Sequence, residues 1–209
     1  MRPNVHARMS MNNARQAFET LLAALDRLAI RHAAGGSLAS SVHGIPRATV
    51  DIDLLVDLRE QDIAPLAAEL AKDFYADANV ISEAVGACRP FNLIHYESSY
   101  KFDLFPLPED PYYQGELDRR TVAEFSFGEG PSLRFPVVTA EDTVLTKLVW
   151  YQMGGEISER QWNDLLGIVR VRGQALDQDY LLGWAEHLGV AQLLLRLRKE
   201  DGERSPDAG

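Results

Sequence analysis

The chain has 209 residues, of which 46% are hydrophobic and 25% charged, and it carries a formal charge of −10. A chain of that size and composition is an ordinary globular protein with one substantial core and room for a helical appendage. Its acidity argues against extended duplex nucleic acid as a partner, no apolar run approaches the ~20 residues of a membrane span, and a single cysteine, Cys88, excludes an internal disulfide framework or a cysteine-based zinc cluster.

No signal-peptide core opens the chain, so the reducing cytoplasm is the expected location. Residues 1–13 are polar and read as a flexible N-terminus. From Ala14 to Leu28, Phe18, Leu21, Leu22, Leu25 and Leu28 recur at helical spacing. A short strand through Ile30–Ala34 then meets Gly35-Gly36-Ser37, where Ser37 is expected to cap a helix running to His43, with Gly44 as its stop. A glycine pair and a hydroxyl at a strand-to-helix turn can receive phosphate oxygens on bare backbone N–H groups.

Val50–Val56 is the clearest strand. Val50, Ile52 and Leu54 point one way, and Asp51, Asp53 and Leu55 the other. A helix is expected from Gln61 to Phe74, then strands near Phe91–Tyr96 and Tyr100–Phe105. The stretch from Pro106 to Pro136 reads as a short helix with one or two edge strands. Thr139 and Ser158 look like N-caps, opening helices from Ala140 to Met153 and from Glu159 to Val171. Helical patterns over Gln178–His187 and Val190–Lys199 follow, before a disordered tail. The predicted organisation is a flexible segment 1–13, an α+β core 14–138, a helical segment 139–200 and a disordered tail 201–209.

Asp51 and Asp53 on one strand face, about 6.6 Å apart by strand rise, suit two carboxylates converging on one or two hard cations. A third acid would complete a two-metal arrangement, and Asp103 in Lys101-Phe102-Asp103-Leu104-Phe105 is the candidate, since Phe102 and Leu104 face the other side. Taken singly, each acid also reads as an arginine partner or as an exposed residue. The cationic clusters Arg119-Arg120, Arg170/Arg172 and Arg196/Arg198/Lys199 also read as solvated faces. No P-loop, dinucleotide fingerprint or His-Glu-x-x-His occurs, and the five histidines lack ligand spacing. Ser37 has no evident His/Asp partners for nucleophilic catalysis.

The Gly-Ser turn, the Asp-x-Asp strand and the third strand acid resemble the signature of the nucleotidyltransferase superfamily, whose core is shared with DNA polymerase beta. The pattern covers roughly residues 30–106, and Arg47 and Thr49 look like the approach seen in small bacterial members. Lys147, Arg160 and Asp164 are similar to the abortive-infection toxin/antitoxin branch, although Asn163 stands where that branch often has a lysine. The resemblance implies a nucleotidyltransferase-like mixed β-sheet flanked by helices, with Mg²⁺ or Mn²⁺ on Asp51, Asp53 and Asp103. It further implies an NTP on Gly35, Gly36, Ser37 and Arg47, triphosphate contacts from Lys147 and Arg160, and acceptor assistance from Asp164. Lys147 equally reads as an exposed helix residue and Arg160–Asp164 as an intrahelical ion pair. Trp150, Tyr151 and Trp162 read either as pocket or as core.

The expected activity is transfer of a nucleoside monophosphate from an NTP to an acceptor hydroxyl on a protein, a tRNA end or a small molecule, with pyrophosphate released. The alternatives are a non-catalytic nucleotide-binding or antitoxin-like module of a toxin–antitoxin system, and a structural protein whose acids are ion-paired. Many small members of the superfamily act with a separately encoded helical partner, so such a partner is a further expectation.

Overall fold

The structure, a computed structural model, describes residues 5–47, 51–127 and 131–204. Thr49 and Val50, in the approach to the acidic strand, lie outside them. The first elements in chain order are α1 (Val5–Arg27), β1 (His32–Ala34), α2 (Gly36–His43), β2 (Ile52–Val56), α3 (Glu60–Leu70), β3 (Phe74–Tyr75), α4 (Ala78–Gly86), β4 (Phe91–His95) and β5 (Lys101–Pro106). They are followed by α5 (Pro111–Asp118), β6 (Thr121–Phe125), β7 (Leu133–Val137), α6 (Ala140–Met153), α7 (Glu159–Arg172), α8 (Gln178–His187) and α9 (Ala191–Arg204).

The chain divides into two compact units, residues 1–34 with 50–137, and residues 35–49 with 138–209. The segment 35–49, read from the sequence as core, therefore groups with the C-terminal helices. In the first unit a seven-stranded mixed sheet has the order β3-β4-β5-β2-β1-β7-β6. β2 runs parallel to β5 and β1 parallel to β7, while the other neighbours are antiparallel.

Strand alternation gives this sheet one apolar face. Ile52, Leu54 and Val56 of β2 and Phe102 and Leu104 of β5 are buried. Phe18 of α1 lies against Phe102 at 6.0 Å and Phe135 at 5.3 Å between ring centroids, so α1 covers that face. Each such fully buried ring contributes roughly 1.5–3 kcal/mol of burial free energy.

In the second unit α2 packs on α6 and α7. Gly44 ends α2 with its α-carbon so close to α7 that a β-carbon would meet the Ile168 nitrogen at 2.8 Å. Thr139 and Ser158 cap α6 and α7 as expected, their hydroxyls accepting from Asp142 and Gln161 backbone N–H groups at 3.2 and 3.3 Å.

Several expectations are corrected. The first helix begins at Val5, not at Ala14. Helix also continues to Arg204 into the tail expected to be disordered. Phe74 lies on β3 rather than at a helix end, and α4 follows, capped by the Asp77 carboxylate on the Asn79 and Val80 N–H groups. The stretch after Pro106 holds α5 and one edge strand, β6, as expected, while β7 pairs with both β1 and β6. Among the described residues no helix is long and apolar enough to cross a membrane.

Candidate functional site

The sheet face opposite the α1 aromatic core carries the acids. Asp53 on β2 and Asp103 on β5 are register partners in the parallel pairing, so their backbones stand about 4.8 Å apart on adjacent strands. Both are half-buried, while the strand residues flanking each of them are buried. Asp51, just before β2, is exposed and shares their side of the strand by alternation. The face predicted from the sequence is the one observed.

Lys101 lies two residues before Asp103 on the same face, and its Nζ is 2.9 Å from Asp103 Oδ2. The hydrogen bond to Asp103 raises the Lys101 ammonium above its ordinary value. Partial burial opposes that rise, and the charges of Asp103, Asp51 and Asp53 add to it. One ammonium thus feels all three carboxylates. Half-buried Tyr100 is also raised, by burial and then by the charge of Asp51. Sequence reasoning assigned Lys101 no role, although the Lys-x-Asp spacing, with a strand period of two, was the available signal.

Magnesium is ordinarily held by one or two carboxylates while substrate phosphates and waters complete its shell. Asp51, Asp53 and Asp103 offer donors of that kind. Among the described residues no three histidine, cysteine, aspartate or glutamate side chains already converge as a cage.

The glycine turn opens the second unit. Gly35 is the N-cap of α2 and the helix begins at Gly36, so Ser37 sits inside the first turn and does not cap it. Gly36 has φ +51°, a left-handed conformation that favours glycine. Gly35, as N-cap, has no side chain to cap the helix, and a β-carbon on it would meet nothing within 4 Å. The first turn of a helix presents backbone N–H groups and partial positive charge.

Also in this unit, Asp164 of α7 collects two cations. Arg47 Nε donates to Oδ1 and Nη2 to Oδ2, both at 2.7 Å, and Lys147 Nζ of α6 donates to Oδ2 at 2.9 Å. Burial works to raise Asp164, but the Arg47 hydrogen bonds and the Lys147 charge outweigh it and hold the carboxyl below its usual value. The Asp164 and Lys147 side chains are only 7% and 5% exposed. Asp164 therefore pairs with Arg47 and Lys147 and not with Arg160, which is exposed on α7. Lys147, open in the sequence reading between a phosphate contact and an exposed helix residue, is buried.

His43 at the end of α2 belongs to the same framework. Its Nε2–H donates to the Val138 carbonyl at 2.7 Å and its Nδ1 accepts from Arg172 at 3.0 Å. Burial lowers its pKa, and the nearby Arg172 charge adds to that. Tyr151 and Trp162 are both buried and pack at 5.1 Å, with the Trp162 indole N–H donating to Glu200 at 2.8 Å. They behave as core whose edges line a cavity of about 360 Å³.

No protein-family model and no curated protein matches the chain. Solved structures do. An antigenic nucleotidyltransferase-like protein from Paracoccidioides brasiliensis is similar with a TM-score of 0.53 and 18% identity, over 88% of each chain. The antibiotic-resistance factor ANT(2'')-Ia gives 0.48 at 17% identity over 92% of this chain and 96% of its own. The lincosamide antibiotic adenylyltransferase LnuA, bound to lincomycin, gives 0.44 at 13% identity over 75% and 96%. The first likeness establishes the fold as α+β and nucleotidyltransferase-like, and the two lower scores add nothing to it.

Proposed function

We propose that the chain is a metal-dependent nucleotidyltransferase that moves a nucleoside monophosphate from an NTP to an acceptor hydroxyl and releases pyrophosphate. The observation that carries this reading is the in-register pair Asp53/Asp103, with Asp51 on the same face, in a fold of the nucleotidyltransferase-like kind. Asp51 and Asp53 hold the divalent cation, Mg²⁺ or Mn²⁺, and Asp53 and Asp103 share a second one. When bound, these cations supply neutralisation of the phosphate charge. Asp103 orients the acceptor hydroxyl or accepts its proton as the oxygen attacks the α-phosphorus in line.

The first turn of α2, at Gly35, Gly36 and Ser37, presents backbone donors of the kind that receive phosphate oxygens. Arg47 and Lys147 bring positive charge beside the Asp164 carboxylate, which suits a triphosphate. Exposed Arg160 adds a phosphate contact. In this reading the protein works by positioning and charge neutralisation, as in phosphoryl transfer generally. The acidic balance of the chain favours a protein side chain or a small hydroxylated compound over a tRNA end as acceptor.

The test is incubation with each α-labelled NTP, Mg²⁺ or Mn²⁺, and cell extract. Wild type should label an acceptor and Asp53→Ala should not. Equal labelling by the two would remove the acids from the reaction. One observation favours a second reading as a non-catalytic nucleotide-binding module, because Asp103 already holds Lys101. Metal-dependent NTP binding without pyrophosphate release would decide for that module.

A further inference from the structure

We propose that Lys101 is a built-in counter-ion on the acidic face, holding Asp103 in the cation-free protein and giving way before a divalent cation can share that carboxylate. The inference rests on the reading of Asp51, Asp53 and Asp103 as the cation site. Carboxylates on and just before two adjacent strands repel one another, and a neighbouring cation offsets that repulsion. The Lys101 ammonium is such a cation, 2.9 Å from Asp103.

Its geometry allows release. The Lys101 side chain is 43% exposed, against 18% for Asp103, and its flexible four-carbon stem can carry the ammonium into solvent. Arginine in its place would keep the charge. A half-exposed pair of this kind is modest in strength, so it biases the site without blocking it. The consequence is selectivity for how the cation arrives. A free divalent ion must displace Lys101 with little in return, whereas one carried on a triphosphate brings oxygens that complete its shell. The role is one of positioning, since Lys101 acts through Asp103.

Mn²⁺ is the probe, and the free ion is counted by electron paramagnetic resonance with full-length protein, with and without ATP. Without ATP, Lys101→Met should bind Mn²⁺ roughly fivefold tighter than wild type, the fold-change equivalent to one exposed ion pair. Lys101→Gln should move in the same direction, and Lys101→Arg should return the affinity to that of wild type. In an Asp103→Asn background the gain from Lys101→Met should shrink below about twofold, because contacting partners are non-additive.

An unchanged or weaker affinity in Lys101→Met and Lys101→Gln would overturn the proposal. So would a full gain in the Asp103→Asn background, which would mark a diffuse field effect. If wild type binds Mn²⁺, Asp53→Ala does not, and Lys101→Met matches wild type, the cation site stands and the counter-ion role alone fails. If no variant binds Mn²⁺ in either condition, the cation site itself fails and Lys101 has no part in it.

Discussion

Asp164 holds its charge in place with two cations. Both of its oxygens are engaged, by a forked arginine and by a lysine that is itself 5% exposed. Removing one member of a buried charge group leaves the other desolvated without compensation, at a cost of about 3–5 kcal/mol. Asp164→Ala should therefore lower the urea midpoint by that equivalent. Lys147→Met should cost far less, since it leaves the Arg47–Asp164 fork intact and puts an apolar stem of similar shape in the same space. Equal losses in the two variants would mean that the cluster is not held through Asp164. This arrangement was not legible in the sequence. Arg160, one turn before Asp164, offered a local partner, whereas the actual partners lie 117 and 17 residues away. The face shared by Asp51, Asp53 and Asp103 was legible because a strand period of two decides it without tertiary information.

At the scale of elements, the close approach of α2 to α7 fixes the identity of Gly44. Its φ of −121° is open to any residue, so backbone strain plays no part. The constraint is steric, because a methyl group there would press on the Ile168 nitrogen at 2.8 Å and the Gly167 carbonyl carbon at 2.9 Å. Both are backbone atoms and neither can rotate away. Gly44→Ala should cost about 1–3 kcal/mol, in line with other overpacked contacts, whereas Gly35→Ala meets no neighbour and should cost little in stability. Thermal melts of the two variants separate these outcomes.

The same contrast explains which elements the sequence announced. α6 and α8 were bounded correctly because Thr139 and Asp177 cap them locally. Phe74 was assigned to a helix because its spacing from Leu70 suits a helical stripe as well as a strand. Its pairing with His95 and its ring contact at 5.0 Å decided for the strand. Helix α4 went unread because only Ile81 and Ala84 of its short length are buried.

Across the whole molecule, each of the two units contains one buried histidine whose pKa is lowered. His32 in the first unit is lowered mainly by burial, opposed by its bond to the Ile30 carbonyl and by Asp26 and aided by the Arg120 charge. His43 in the second is lowered mainly by burial. A group whose folded pKa lies below its unfolded value of about 6.5 binds more protons in the unfolded chain. Stability is then full above that value and falls as pH drops below it, by up to about 1.4 kcal/mol per pH unit for each histidine, until the folded pKa is reached. The depressed carboxyl of Asp164 acts later. Its contribution is present above the ordinary carboxylate value of about 4 and is lost as pH falls through its lower folded value. Acid should therefore weaken the protein in two stages, first through the histidines and then through Asp164. Urea midpoints measured from pH 8 down to pH 3 should show both. His43→Gln keeps a donor for the Val138 carbonyl and should reduce the first stage to the part His32 contributes, without removing the second. A midpoint unchanged between pH 8 and pH 5 would mean that neither histidine is held neutral by the fold.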